Sequence, residues 1–135
     1  MQLVDTNIVA YLLIDGDHTA AALELRRRDS DWRSESFLLV EFTNVLASSI
    51  ASKRMTLSQA RDFLTAAVTL LDGRLGRLSH LSVLEASVRY RVSAYDGRFL
   101  ALAERLGLPL VTEDAKLRRA APALTQSLDE ALRAA

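Results

Sequence analysis

The sequence predicts an α/β protein with a parallel β-sheet that is flanked by helices on both faces. Short apolar segments alternate with longer helical segments along the chain, and this alternation is typical of βαβ units. Three capping boxes mark helix starts: Thr56 with Gln59, Ser82 with Glu85 and Ser127 with Glu130. No repeat, low-complexity tract or linker interrupts the pattern, so we expect a single domain over residues 1–135.

The first half of the chain is predicted to hold two strands and four helices. In order, these are a strand at Gln2–Val4, helices over Thr6–Ile14 and Thr19–Arg28, a strand near Trp32, a helix over Phe37–Lys53 and a helix over Leu57–Leu71. Asp17 is placed to cap the second helix. The helix over Phe37–Lys53 is apolar on most sides, so we expect it to be buried.

The second half is predicted to continue the alternation with shorter elements. In order, these are a strand around Arg77–Ser79, a helix from Ser82 to Val92 with Glu85 in its capping box, a helix capped by Ser93 and ending near Arg105, a strand at Leu108–Thr112, a short helix from Asp114, a strand near Leu124–Gln126 and a helix after Ser127. Functional sites in such sheets lie beyond the carboxyl ends of the strands.

Composition excludes several classes of protein. The chain has no cysteine, which excludes disulfide frameworks and thiolate zinc sites and suits a reducing cytoplasm. No apolar run approaches the roughly 20 residues of a membrane span, and the first residues do not form a signal peptide. Formal net charge is zero, although fifteen of the seventeen basic residues are arginines, whose planar guanidinium suits phosphate.

Four acids stand at unusual places in the pattern: Asp5, Glu41, Asp96 and Asp114. Asp5 and Asp114 follow predicted strands, Asp96 lies just after a capping serine, and Glu41 interrupts an apolar helical run. In a parallel sheet these positions can converge at one edge. Four carboxylates in a cleft raise one another's pKa unless a cation is present, and Mg²⁺ or Mn²⁺ prefers such all-oxygen ligands.

Each of these acids also has a purely structural explanation. Asp5 and Asp114 could be ordinary helix caps, and Asp96 could be favoured by the dipole of its helix. Glu41 is harder to explain, because an ionised glutamate is almost never buried without a partner; a buried ion pair with an arginine is the alternative there.

Other catalytic patterns are missing. His18 and His80 have no metal-ligand spacing. There is no G-x-S-x-G elbow and no phosphate-binding loop.

Three segments carry a family resemblance. In order they are VDTNIV, LLVEFTNVLA and SAYDGRFLALAERLGLPLVTEDAKL. Together they resemble the PIN-domain ribonucleases and, given the small size of the chain, the VapC-type toxins of bacterial toxin–antitoxin pairs. The third segment is the most specific, because it joins an acid at a helix start to a T-x-D after a strand.

The resemblance implies a function and a set of site residues. The family's acidic tetrad falls on Asp5, Glu41, Asp96 and Asp114 as metal ligands and catalytic residues, and its supporting polar residues fall on Asn7 and Thr112. Glu113 stands beside Asp114 as a rival for the fourth carboxylate. The resemblance further implies a Mg²⁺- or Mn²⁺-dependent endoribonuclease that acts on RNA and a cognate antitoxin. A homodimer is expected for a different reason, because neither the helix over Phe37–Lys53 nor the helix over Leu57–Leu71 can bury its apolar stripe alone.

Two other classes of function stay open. One is a phosphatase or phosphotransferase with an aspartyl nucleophile, which usually needs D-x-D-x-T, whereas Asp5 is followed by TNIV. The other is a non-catalytic α/β interaction module in which the four acids are caps.

Overall fold

The polypeptide folds around a five-stranded parallel sheet. The structure, a computed structural model, describes all residues from Met1 to Ala135. The strands are β1 (Gln2–Val4), β2 (Trp32–Glu35), β3 (Leu75–Gly76), β4 (Leu110–Val111) and β5 (Thr125–Gln126). They pair in the order β3-β2-β1-β4-β5, and every pair is parallel. The α/β class predicted from the sequence is confirmed.

Eight helices connect and follow the strands. They are α1 (Thr6–Leu13), α2 (Thr19–Arg28), α3 (Leu38–Ala51), α4 (Leu57–Leu70), α5 (His80–Tyr90), α6 (Ala94–Leu106), α7 (Ala115–Ala120) and α8 (Leu128–Ala134), with a 3-10 turn at Pro122–Leu124. Helices α1 to α4 pack on one another, and α8 packs on α2. Helices α5 and α6 form a second pair, and α6 packs on β2 and β4.

The strand order places a topological switch beside the central strand. From β1 the chain moves outward to β2 and β3, and it then returns to pair β4 with the other edge of β1. In register, Leu3 lies opposite both Arg33 of β2 and Leu110 of β4. Loops that leave two adjacent strands in opposite directions open a crevice at their carboxyl ends. The residues after β1 and β4 therefore line one crevice.

The core lies on both faces of the central strands. Leu3, Val4, Leu110 and Val111 are fully buried, as expected for a parallel sheet covered by helices. Trp32 of β2 is also fully buried. None of the helices combines the length and the apolar composition that crossing a lipid bilayer requires.

Several predicted local features are wrong. His18, not Asp17, precedes the first residue of α2, and no side chain caps that helix. Ser79 rather than Ser82 caps α5, because the Ser79 hydroxyl accepts the Ser82 N–H at 3.1 Å. The third strand lies at Leu75–Gly76, before the predicted Arg77–Ser79.

Helix α3 is also less buried than its composition predicted. Its inner face holds Leu38, Phe42 and Leu46, all buried. Val40, on the opposite side, is 60% exposed. The apolar residues of this helix therefore lie on two surfaces, one packed into the core and one open to solvent.

Candidate active site

One cavity lies at the carboxyl edge of the sheet and contains all four singled-out acids. Its volume is about 610 Å³. The residues that line it come from α1, α3, α6 and α7 and from the positions just before these helices: Asp5, Thr6, Asn7, Phe37, Val40, Glu41, Asn44, Val45, Tyr95, Asp96, Phe99, Asp114 and Leu117. The parallel sheet thus brings together acids that are spread over 110 positions of the sequence.

Asp5 is the most buried of the four acids, with 8% of the residue exposed. It caps α1, since its Oδ1 accepts the Ile8 N–H at 3.2 Å. Burial raises the pKa of the Asp5 carboxyl to about 7, and the nearby charges of Glu41 and Asp114 add to the rise. Hydrogen bonds from Thr112 and Ile8 partly oppose this rise in pKa. The carboxyl is therefore poorly stabilised as an isolated anion.

Glu41 stands in the first turn of α3. The Thr6 hydroxyl donates a 2.7 Å hydrogen bond to Glu41 Oε1, which ties α3 to the start of α1. Burial raises the pKa of Glu41, the Thr6 bond opposes the rise, and the charges of Asp96 and Glu35 add to it. The arginine partner considered from the sequence is not found at this residue; its contact is a hydroxyl.

Asp96 lies at the third position of α6. Ser93 caps this helix by accepting the Asp96 N–H at 3.1 Å, so the carboxylate itself is not needed as the cap. Burial raises the pKa of Asp96, Asp114 adds to the rise, and the Lys116 ammonium opposes it. The next residue, Gly97, packs so tightly on α5 that an added Cβ would clash with Ser87 Oγ, so a glycine is needed for this close approach of α6 to α5.

Asp114 and Glu113 have different environments. Asp114 caps α7 through Oδ1, which accepts the Leu117 N–H at 3.0 Å, and it lines the cavity. Its own N–H donates to Thr112 Oγ1 at 3.1 Å. Glu113 accepts the Leu128 N–H at 2.7 Å and so supports the start of α8. The structure therefore brings Asp114, and not its neighbour, to the other acids.

The four carboxylates influence one another in a closed ring. Asp5 is affected by the charges of Glu41 and Asp114, and Asp96 by that of Asp114, while Glu41 is affected by Asp96. All pKa shifts resolved within this ring are upward. An arrangement of this kind stores electrostatic repulsion that a cation would relieve.

The donor set suits a hard divalent cation. All the ligating atoms available from the four acids are carboxylate oxygens, the atoms that Mg²⁺ and Mn²⁺ prefer. No three acidic or histidine side chains stand close enough together to enclose an ion by themselves. Mg²⁺ commonly keeps several water ligands and takes only one or two carboxylates directly, so the open arrangement fits such an ion.

The remaining predicted site residues differ in their contacts. Thr112 is fully buried and contacts both Asp5 and the Asp114 backbone. Asn7 lines the cavity and is exposed. His18 stacks on Tyr11 with ring centroids 4.4 Å apart, and neither His18 nor His80 reaches the cavity.

Three features near the cavity had not been predicted. One is the Thr6 hydroxyl on Glu41. Another is Glu35, which is 0% exposed at the end of β2 and pairs with Arg98 Nη1 at 3.4 Å. The third is the stacked pair Phe37 and Tyr95 in the cavity wall. A single polar residue in a serine-rich stretch gives no sign of burial, so the sequence offered no clear signal for Glu35.

Three comparisons with known proteins bear on the family of this chain. A family model described as PIN domain matches residues 3–122. Ribonuclease VapC1 of Mycobacterium tuberculosis, in each of two strains, is 30% identical over 122 residues, which cover 90% of this chain and 91% of VapC1. The crystal structure of PAE2754 from Pyrobaculum aerophilum has a TM-score of 0.76 at 20% identity, covers 98% of this chain and 94% of its own, and shows a shared fold. The resemblance seen in the sequence is confirmed: the chain belongs to the PIN-domain family and is of the VapC type.

Proposed function

We propose that this chain is a Mg²⁺- or Mn²⁺-dependent endoribonuclease and the toxin of a type II toxin–antitoxin system. The observation that carries the proposal is the convergence of Asp5, Glu41, Asp96 and Asp114 on one cavity. The similarity to ribonuclease VapC1 supports RNA as the substrate. Because the formal net charge is zero, the chain as a whole attracts the phosphate backbone of RNA only weakly.

In this proposal the acids divide into two roles. Asp5, Glu41 and Asp96 would hold the cation, one or two of them directly and the rest through its water ligands. Thr6 and Thr112 would fix two of these carboxylates through their hydroxyl groups. The cation, when bound, would lower the pKa of a coordinated water and offset charge at the scissile phosphate.

Asp114 would act on the attacking water. Its Oδ1 is occupied by the Leu117 N–H, which fixes the carboxylate and leaves Oδ2 as the acceptor. This carboxylate would orient the water and accept its proton while the water oxygen bonds to phosphorus. The bond from phosphorus to the ribose 3′ oxygen would break, and that oxygen would take up a proton from solvent. Lys116, whose ammonium acts on Asp96, would add positive charge beside the phosphate.

A nuclease of this kind requires an inhibitor in the cell that makes it. An arginine or lysine from an antitoxin would suit the acidic cavity, because a guanidinium can neutralise carboxylates in place of the metal. An amphipathic antitoxin segment would lie along α3 and α4, where Val40 and Leu57 are exposed. The same pair of helices is our proposed homodimer surface, and the cytoplasm is the proposed location.

The competing proposal is a non-catalytic module in which the acids are caps. One observation favours it: Asp5 and Asp114 do accept the N–H groups of Ile8 and Leu117. Capping does not explain why Glu41 and Asp96 face the same cavity, since Ser93 already caps α6.

A paired assay of cleavage and stability separates the two. Asp5→Asn and Asp96→Asn should abolish cleavage of single-stranded RNA in Mg²⁺ or Mn²⁺ while the purified proteins keep their fold, because an amide can cap a helix but binds these ions poorly. Chelation with EDTA should likewise stop the wild-type protein. Full cleavage by a folded Asp5→Asn protein, or by the wild type in excess chelator, would refute the proposal.

A further inference from the structure

One side of the cavity is lined by aromatic residues rather than by the four acids. Phe37 and Tyr95 both line it, and their rings are stacked with centroids 5.3 Å apart and planes inclined by 14°. Tyr95 is 60% exposed, and so is Val40 on the facing helix α3. Apart from its stacking contact with Phe37, Tyr95 is therefore largely open to water.

Contacts with Glu35 and Arg98 hold Phe37, and with it the stacked pair, in place. Glu35 accepts the Phe37 N–H at 2.6 Å, and the Arg98 guanidinium that pairs with Glu35 lies over the Phe37 ring at 5.3 Å. Backbone and ring of Phe37 are thus both fixed, and Tyr95 lies on a rigid support. A ligand that stacks on Tyr95 would lose little affinity to the ordering of the protein.

The size and charge of the cavity point to a flat, uncharged ligand at this end. A volume of about 610 Å³ is far larger than one hydrated ion occupies, since a water takes about 30 Å³ in the liquid. The acidic half repels phosphate, and the net charge of the chain is zero. Contacts with bases, which proteins commonly make by stacking on aromatic rings, would therefore add to the affinity that the cation provides at the phosphate.

We propose that Tyr95, supported by Phe37, is a stacking platform for one unpaired nucleobase next to the scissile phosphate. The exposed Asn44 lies in the same wall, one turn after Val40, where its amide would meet the edge of the stacked base. The platform selects single-stranded RNA, because a base inside a duplex is not free to leave its own stack. This inference rests on the proposed ribonuclease function.

The test uses the full chain and a single-stranded RNA of about 12 nucleotides that spans a cleavage site mapped for the wild type. Tyr95→Ala should lower kcat/KM about tenfold to hundredfold, mainly through KM. Tyr95→Phe keeps the ring and should stay within about threefold of the wild type, since the proposed contact is the ring face. Leu84→Ala is the matched control, because Leu84 is a 58% exposed apolar residue on α5 outside the cavity.

A second set of RNAs carries one abasic ribose at each position around the cleavage site. At one position, the abasic ribose should lower the kcat/KM of the wild type by as much as Tyr95→Ala does. The same abasic RNA should lower the kcat/KM of the Tyr95→Ala protein almost no further. Equal losses in both proteins at every position would overturn the platform, as would a Tyr95→Phe protein as weak as Tyr95→Ala.

The remaining outcomes separate this inference from the proposed function. If the wild type and Tyr95→Ala cleave RNA equally well, the platform is wrong, whereas the proposed nuclease function stands. The same conclusion holds if Tyr95→Ala weakens only the binding of a protein partner. If the wild type cleaves no RNA at all, the proposed function fails and the platform fails with it. Melting temperatures exclude unfolding, with Phe37→Leu as a second variant that should reduce cleavage by removing the support.

Discussion

The Thr6 hydroxyl donates a 2.7 Å hydrogen bond to Glu41 Oε1. Thr6 is buried directly after the β1 strand and Asp5, whereas Glu41 stands one turn into α3. The bond therefore joins the residue directly after Asp5 to Glu41, across 35 positions of the chain. It leaves the other Glu41 oxygen for a ligand in the cavity.

Thr6→Val should loosen Glu41 without disturbing the core. Valine has nearly the shape of threonine but no hydroxyl, so Glu41 would lose its only hydroxyl donor and its fixed orientation. Loss of such a support typically weakens metal binding by about tenfold to hundredfold. We expect that decrease in Mn²⁺ affinity by calorimetric titration, with a loss of about 1 kcal/mol in the free energy of unfolding.

Thr43→Val is the control for this change. Thr43 is exposed on the same helix and donates to the Leu39 carbonyl at 2.6 Å. Its replacement should leave Mn²⁺ affinity unchanged. Equal effects of the two substitutions would mean that the Thr6 contact does not serve the metal site.

A second prediction distinguishes the neighbours Glu113 and Asp114. Asp114→Asn should lower RNA cleavage at least about hundredfold, since an amide cannot accept the proton of the attacking water. It should leave the melting temperature nearly unchanged because the amide oxygen still accepts the Leu117 N–H. Glu113→Gln should cleave RNA normally, because its contact is the Leu128 N–H of α8. The reverse pattern would make Glu113 the catalytic acid.

Much of the fold could be predicted because its signals are local. Strand β1, helix α2 and the capping boxes at Thr56 and Ser127 were found where the sequence placed them. Strand β3 was misplaced, since it is two residues long and pairs only with β2. Nothing in so short a segment distinguishes a strand from a loop except its partner strand.

The site could be predicted only as a set of positions. The sequence identified the four acids and left a buried ion pair with an arginine open as the alternative for Glu41, whereas it is Glu35 that pairs with Arg98. The two glutamates are six residues apart, and their difference arises from α6, which brings Arg98 to β2. Such tertiary pairings have no signature in local sequence.

Arg98→Met should therefore destabilise the protein strongly. It would leave Glu35, which is fully buried, without its counter-charge. Removing one partner of a buried pair typically costs about 3 kcal/mol, and urea unfolding would measure it. Arg98→Met combined with Glu35→Gln should recover part of the loss because no buried charge then remains.

Arg89→Met is the matched control for that prediction. Its pair with Glu104 is shorter, at 2.8 Å, but lies largely in solvent, so its loss should cost less than about 1 kcal/mol. If Arg98→Met is as mild as Arg89→Met, the buried pair contributes nothing to stability.

The raised acid pKa values predict the pH dependence of stability without metal. The pKa of Asp5 is about 7 in the folded chain against 3.8 for an ordinary aspartate. Between these values the folded chain holds a proton that the unfolded chain has released, so stability falls as pH rises from about 4 to about 7. Glu41 and Asp96 shift in the same direction. In EDTA the melting temperature should thus be several degrees higher at pH 5 than at pH 7.5.

Two controls test the origin of that slope. Asp5→Asn should flatten it and raise the melting temperature at pH 7.5, whereas Asp17→Asn, on an exposed turn, should change neither. Mg²⁺ or Mn²⁺ at pH 7.5 should also raise the melting temperature, since the ion binds the folded state. A slope of the opposite sign in the metal-free wild type would contradict the electrostatic description of the cavity.

The toxin proposal makes a prediction in living cells. Expression of this chain alone in a bacterium should arrest growth, because an unrestrained ribonuclease destroys RNA that the cell needs. Asp5→Ala should relieve the arrest at equal protein level, whereas Asp17→Ala should not, since Asp17 does not line the cavity. Co-expression of a small gene adjacent to this one should also relieve the arrest, by supplying a basic side chain to the acidic cavity. If the wild-type chain is harmless at high level without that gene, the toxin assignment is wrong, and cleavage of RNA in vitro would then have to be explained by another role.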